Sequence, residues 1–121
     1  MIREEVRILL GDFKEFKKNQ FSRSTADSFA GGGVHVFYSE DGLISGVEIF
    51  RGVEATFRSL ELFSMGFYDL ISALRQAGVG VVLDDVGASL VDVGLGIYAP
   101  NYEDDGGCVI DAVYVDMNSQ G

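Results

Sequence analysis

Residues 34–50 read VHVFYSEDGLISGVEIF, which is two runs of β-branched and aromatic residues on either side of a polar Glu-Asp-Gly triplet at 40–42. Val, Ile, Phe and Tyr favour strands, and the triplet has the composition of a tight turn. The stretch therefore predicts a β-hairpin with strands over 34–38 and 44–50. Three glycines at 31–33 predict a flexible entry to this hairpin. They do not predict a phosphate loop, because phosphate loops precede a helix N-terminus.

The residues before this hairpin predict a helix near 2–10 and then a loop. Apolar residues follow the three- and four-residue spacing of one buried helical stripe; they are Ile2, Val6, Leu9, Leu10 and Phe13. Gly11 stands where a helix commonly ends in a left-handed residue. Residues 14–28 are rich in Lys, Ser and Thr and predict irregular structure, whereas 53–57 predict a third strand.

The second half repeats this order. Ser64 is a candidate N-cap for a helix near 65–77, and its apolar stripe is Phe67, Leu70, Ile71 and Leu74. Gly78 is expected to end that helix. Short strands are predicted over 79–83, 90–98 and 108–116, with a turn at 84–87 and an acidic loop at 100–107. Residues 90–98 alternate between apolar and polar or small positions, which is typical of a strand with one buried face.

Consecutive hairpins indicate antiparallel pairing. We predict a single α+β domain over residues 1–121, with two similar helix-then-hairpin halves and both helices packed on one face of an antiparallel sheet. The predicted core consists of Ile2, Val6, Leu9, Val36, Val47, Ile49, Leu70, Ile71, Leu74, Val93, Leu95 and Ile97. None of these residues is a metal or cofactor ligand, so the fold is expected to form without either.

Composition limits the class of protein. The chain has 121 residues, 47% of them hydrophobic and 23% charged, which is typical of a globular domain. No apolar run approaches the length of a membrane span. Cys108 is the only cysteine, so no disulfide within the chain can form. The acids at Glu4 and Glu5 differ from the basic start of a signal peptide. These features predict a cytoplasmic protein without a membrane partner.

Charge is distributed unevenly along the sequence. Residues 1–23 carry six basic and four acidic side chains, whereas residues 24–121 carry three basic and fifteen acidic ones, and the net charge is −10. A chain this acidic repels nucleic acid at long range, so no nucleic-acid partner is predicted. The basic residues near the N-terminus alternate with acids, which favours a solvated helix face over an RNA-binding patch.

Four segments resemble a group of small uncharacterised bacterial proteins. They are MIREEVRILLG at 1–11, HVFYSEDG at 35–42, GVEI at 46–49 and LGIYAP at 95–100. The helix-then-hairpin plan is similar to that of the BamE and β-lactamase-inhibitor-protein-like group of adaptor and inhibitor modules. The small acidic chain also resembles immunity proteins, which are antidotes to bacterial toxins. The resemblance implies a non-enzymatic scaffold and transfers no catalytic or binding residue.

Residues for most enzyme chemistry are scarce. His35 is the only histidine, and it lies inside a predicted strand. A catalytic pair of Cys108 with His35 has no supporting motif around either residue. One His and one Cys are too few for a zinc site. Paired carboxylates for glycoside hydrolysis arise by chance among nineteen acids, and no Trp is present to stack on a sugar. We therefore predict that the chain is not an enzyme.

The acids at 84–85 and 103–105 admit three interpretations: solvated turns, a divalent-metal site, or a recognition surface. Asp104 and Asp105 precede two glycines but lack the regular spacing of a calcium loop. Tyr98 and Tyr102 flank the start of the same acidic loop, and each is either core or an interface anchor. We predict no metal or cofactor.

The predicted function is an intracellular inhibitor or immunity protein that neutralises a basic toxin domain through an acidic face. An acidic inhibitor associates faster with a basic target. The predicted contact residues are Asp84, Asp85, Asp92, Tyr98, Tyr102, Glu103, Asp104 and Asp105. The alternative is a small-ligand or divalent-metal-binding module of uncharacterised activity.

Overall fold

A computed structural model describes residues 2–17, 25–105 and 107–117. Two helices and ten strands follow one another in the order α1 (Arg3–Leu10), β1 (Phe13–Phe16), β2 (Ala26–Phe29), β3 (Val34–Tyr38), β4 (Ile44–Phe50), β5 (Thr56–Phe57), β6 (Leu60–Glu61), α2 (Phe67–Gln76), β7 (Val81–Asp84), β8 (Gly87–Leu90), β9 (Leu95–Tyr98) and β10 (Ala112–Asp116). Two short 3₁₀ turns lie at Ala30–Gly32 and Val91–Val93.

Eight strands form one antiparallel sheet in the order β1-β2-β3-β4-β10-β9-β8-β7. Each half of the chain contributes a helix followed by four strands in a meander, and the two meanders meet at their last strands. At this seam Ile49 of β4 pairs with Val113 of β10. Strands β5 and β6 form a separate two-stranded hairpin between the halves. The predicted α+β class, with antiparallel pairing, is confirmed.

The hairpin predicted at 34–50 is confirmed with the same strand bounds. Val36 pairs with Val47 in its ladder, and Gly42 in the turn has a φ of 81°. A positive φ is strained for most residues and free for glycine, so the turn sequence fixes the register of the hairpin.

The second helix is confirmed with a different start. Phe67, Leu70, Ile71 and Leu74 are all buried, as the apolar spacing predicts. The N-cap is Gly66 and not Ser64, whose hydroxyl donates to the Glu61 carbonyl instead. A side chain at Gly66 would lie 2.7 Å from the Gly107 carbonyl oxygen, so only glycine permits this close approach.

The buried side of α1 differs from the prediction. Val6 is buried, but Ile2, Leu10 and Phe13 are exposed and Leu9 is 67% exposed, so Ile2 and Leu9 do not belong to the core. The reason is electrostatic. Arg3 and Arg7 stand on the same side as Val6 and turn toward the sheet, where both pair with buried Asp27. This orientation leaves the apolar stripe largely outside.

Several strand boundaries also differ. Residues 14–28, predicted as loop, contain most of β1 and part of β2, and 18–24 lie outside the described residues. Residues 90–98 are not one strand. They hold the end of β8, a 3₁₀ turn and β9, and Gly94 reverses the chain with a φ of 66°. The strand predicted at 53–57 is only the short β5, that at 79–83 is β7, and that at 108–116 begins at Ala112.

Two hydrophobic clusters lie on the sheet. One joins α2 to Ile97 and Val113, and the other joins Val6 of α1 to Val36 and Phe29. Directly paired residues point to the same side of a sheet. Val36 of β3 pairs with Val47 of β4, and Val113 of β10 pairs with Ile49 of β4. Val47 and Ile49 are two residues apart in one strand, so they point to the same side of the sheet. Packing of both helices on one face stays a prediction, which this register supports.

Candidate functional site

An acidic edge forms where the β7–β8 turn meets the loop that follows β9. We use this name for Asp84, Asp85, Glu103, Asp104 and Asp105. The Ala99 amide donates to the Val86 carbonyl at 2.8 Å, which ties the loop to the turn. Residues 101–105 then fold into consecutive turns closed by bonds to the Asn101 carbonyl. Five carboxylates that are separated in the sequence therefore lie along one border of the sheet.

Tyr102 holds this edge together from inside. Its ring is 5% exposed and stacks on Phe67 with centroids 4.4 Å apart. Its hydroxyl donates to the Asp84 carbonyl. Burial raises the pKa of Tyr102, and the negative charges of Glu103, Asp84 and Asp85 raise it further. The structure thus favours the core alternative for Tyr102, whose ring is not available to a partner in this conformation.

Tyr98 and Asp92 differ in their relation to the edge. Tyr98 ends β9 next to the acidic loop and is 46% exposed, so it remains available to a partner. Asp92 lies in the 3₁₀ turn between β8 and β9, at the opposite end of β8 from the acidic turn. The prediction that residues 90–98 form one alternating strand, with Asp92 on its polar side, is wrong, because the chain reverses at Gly94.

The six predicted acidic contact residues are exposed, and none forms an ion pair in the part of the chain that the structure describes. The side-chain carboxylates of Asp84 and Asp105 accept hydrogen bonds from the nearby backbone amides of Val86 and Gly107. Uncompensated carboxylates on one border give that border a negative field.

The described ion pairs lie instead around Asp27, which sequence reasoning missed. Asp27 is 0% exposed, and Arg7 binds both of its oxygens at 2.7 Å. Tyr38 donates to it at 3.0 Å, and Arg3 lies 3.6 Å away. Glu15 also accepts a bond from Arg7 at 2.9 Å. The only sequence signal was the spacing of two arginines one turn apart.

Opposing effects act on the pKa of Asp27. Burial raises it, but hydrogen bonds from Arg7 and Tyr38 and the positive charges of Arg7 and Arg3 hold it below its ordinary value. Burial and the bond to Asp27 raise the pKa of Tyr38 to about 12. Arg3 and Arg7 are therefore committed to an internal carboxylate and are poorly placed to contact RNA.

The side of the sheet opposite the hydrophobic clusters is open, and we call it the open face. His35, Glu48, Tyr114, Gly96 and Ser89 are paired in that order across β3, β4, β10, β9 and β8 and share this face. Those five residues are half-buried or exposed.

Aromatic rings cover the β1–β4 part of the open face. The His35 ring lies 4.8 Å from Phe16 and 4.7 Å from Phe50, and Phe37 lies 6.3 Å from Tyr114. Only tertiary pairing brings these rings together. Cys108 packs against the cluster around α2, so the structure does not assemble the His35–Cys108 pair. Burial and then the charges of Asp105 and Asp111 raise the pKa of Cys108, which disfavours a nucleophilic thiolate.

Among residues 2–17, 25–105 and 107–117, no three His, Cys, Asp or Glu side chains are grouped so that they could hold a metal ion. The two helices span 8 and 10 residues, and no helix within the described ranges is long and apolar enough to cross a bilayer. Comparison with protein-family models, curated proteins and solved structures gives no match to this chain.

Proposed function

We propose that the chain is a non-enzymatic binding protein that receives a basic protein at the acidic edge. The observation that carries the proposal is the set of exposed carboxylates at 84–85 and 103–105, which form no ion pair with any residue that the structure describes. A carboxylate already paired inside the chain has little attraction left for a partner. The five carboxylates of the acidic edge therefore retain their attraction for a cationic partner.

The partner class follows from the charge. With a net charge of −10, the chain repels polyanions and acidic proteins and attracts basic ones. Domains that act on nucleic acid are commonly basic, so a toxin of that kind is a suitable target for an immunity-type antidote in the cytoplasm. Tyr98 adjoins the edge and supplies an exposed aromatic anchor.

The test is a kinetic binding assay between the chain and the product of its neighbouring gene. The triple variant Glu103→Gln, Asp104→Asn, Asp105→Asn is expected to associate about tenfold more slowly at low salt, with a smaller change in dissociation. The wild-type association rate is expected to fall as salt rises.

A matched control keeps the total charge change equal. Glu4→Gln, Asp12→Asn and Glu54→Gln together remove three exposed acids outside the acidic edge. This control should slow association much less than the edge variant. Equal slowing by both triple variants would show that net charge alone matters, and an unchanged rate in both would rule out an electrostatic interface.

A further inference from the structure

A groove crosses the open face between Tyr98 and Tyr114. Gly96 forms its floor, and Ser89 next to it has only a short side chain. A cleft of about 220 Å³ lies on one side of this floor and is lined by both tyrosines, Glu48 and Asp84. A second cleft of about 330 Å³ continues past Gly96 toward Asp116.

The groove exists because three positions on this face have little or no side chain, namely Gly46, Ser89 and Gly96. Tyr114 pairs directly with Gly96, yet its ring lies over Gly46 of β4, where any added methyl group would overlap the Tyr114 hydroxyl. The ring therefore leans away from β9 and leaves the space above Gly96 open. An added Cβ at Gly96 would come no closer than 3.9 Å to Tyr114, which confirms that this space is free.

The lining determines which occupant fits. Among the described residues no Lys, Arg or His lines either cleft, whereas Glu48 and Asp84 bring negative charge and the tyrosines bring aromatic rings. Glu48 lines the smaller cleft with Tyr114, and Asp116 lines the larger one with it; burial, followed by the charges of Asp116 and Glu48, raises the pKa of Tyr114. Pockets for whole small molecules occupy roughly 300–1,000 Å³, so the smaller cleft suits a single side chain better.

We propose that this groove receives an arginine side chain of the basic partner, with the guanidinium beside the Tyr98 and Tyr114 rings in the cleft that Glu48 and Asp84 also line. A guanidinium is planar, stacks on aromatic rings and bonds to carboxylates through paired donors, whereas a lysine ammonium does not stack. The inference rests on the proposed function, because it assumes a basic protein. Asp84 belongs to both surfaces, so the groove extends the acidic edge onto the open face. A second copy of this acidic chain is a poor occupant, since two such faces repel each other.

The experiment uses a defined probe and nuclear magnetic resonance of the ¹⁵N-labelled full chain. The probe is the peptide acetyl-Gly-Arg-Gly-amide, and its counterpart carries citrulline, which has nearly the same shape without the charge. The arginine peptide is expected to shift the amide signals of Ser89, Gly96 and Tyr114 saturably, and the citrulline peptide is expected to leave them unchanged.

Two variants probe the groove separately. Gly96→Val fills the floor with a residue that suits a strand and should weaken arginine binding at least about fivefold. Glu48→Gln keeps the shape, removes one charge and should weaken binding about two- to fivefold. Asp69→Asn removes an exposed acid on α2 and serves as the matched control, with binding unchanged. The urea midpoint of each variant reports whether it folds.

The outcomes separate the groove from the acidic edge. If saturable shifts appear only at residues 103–105, the edge binds cations, the proposed function is supported and the groove proposal is wrong. If Gly96→Val and Glu48→Gln both fold and bind arginine as the wild type does, the groove proposal is wrong whatever the edge variants show. If groove shifts are lost in both variants while the slow association of the edge triple variant is absent, the groove stands and the proposed role of the edge fails.

Discussion

Asp27→Asn is the substitution expected to destabilise this protein most specifically. The buried carboxylate accepts two bonds of 2.7 Å from Arg7 and one of 3.0 Å from Tyr38, with Arg3 at 3.6 Å. Asparagine has nearly the same shape, but one of its two terminal atoms is an NH₂ group that faces a donor. The substitution therefore removes the buried counter-ion of two half-buried guanidinium groups and leaves Arg7 only its pair with the more exposed Glu15.

The expected loss of stability follows from the cost of removing one partner of a buried ion pair. That cost is about 3–5 kcal/mol. A domain of this size is stable by about 5–15 kcal/mol, so the variant should lose a large fraction of its free energy of unfolding. The corresponding fall in Tm is about 10–20 °C. Because Asp27 joins α1 to β2, the loss should appear in both helical and sheet signals.

Urea unfolding followed by circular dichroism gives the measurement. Asp111→Asn, the same chemical change at an exposed position, is the control and should cost less than about 0.5 kcal/mol. The folded pKa of Asp27 lies below its ordinary value. Its contribution is therefore complete above the unfolded pKa near 3.9 and is lost as pH falls through the folded pKa. The difference between wild type and variant should shrink at strongly acidic pH. A cost below about 1 kcal/mol at neutral pH would refute the reasoning.

Three further predictions test the packing by urea unfolding. Leu74→Ala, in a fully buried position, should lower the free energy of unfolding by about 2–5 kcal/mol, whereas Leu9→Ala should lower it by less than about 0.5 kcal/mol. Equal losses would show that the apolar stripe of α1 is packed in the core. Gly87→Ala should be strongly destabilising, by about 2–4 kcal/mol, because its methyl group would overlap a backbone carbonyl of β9; a stable variant would show that the ladder shifts easily. Tyr102→Phe keeps the ring stack and loses one hydrogen bond, so about 0.5–1.5 kcal/mol should be lost, and partner binding should be unchanged.

The parts of the fold that were predicted correctly depend on local sequence. The β3–β4 hairpin is specified by its own turn residues, and α2 by an apolar stripe that has no polar competitor. The stripe of α1 looked equally clear, but its orientation depends on Asp27, which lies about twenty residues from the arginines that bind it. No periodicity in residues 2–10 contains that information.

In the candidate site, too, the features set by local sequence were predictable and those set by distant contacts were not. Asp85, Glu103 and Asp104 lie on turns, as their local composition predicts, whereas Asp84 ends β7. Tyr102 could not be assigned from sequence, because its burial comes from the ring of Phe67 in a distant helix. Tyr114 is not among the predicted site residues, because its place beside Tyr98 arises only when β10 pairs with β9. The alternation at 90–98 is equally compatible with one strand and with a tight hairpin.

The seam between the two halves has a consequence for the order of folding. Most ladders of the sheet join strands that are neighbours in the chain, so closing the loops between them costs little conformational entropy. The β4–β10 ladder instead joins Phe50 to Ala112, across the whole of α2 and five strands. Contacts between residues far apart in the chain form slowly. We therefore expect each meander to form first, and the rate of folding to be limited by their docking at β4 and β10. Lengthening the connection between the halves should slow folding while leaving unfolding nearly unchanged.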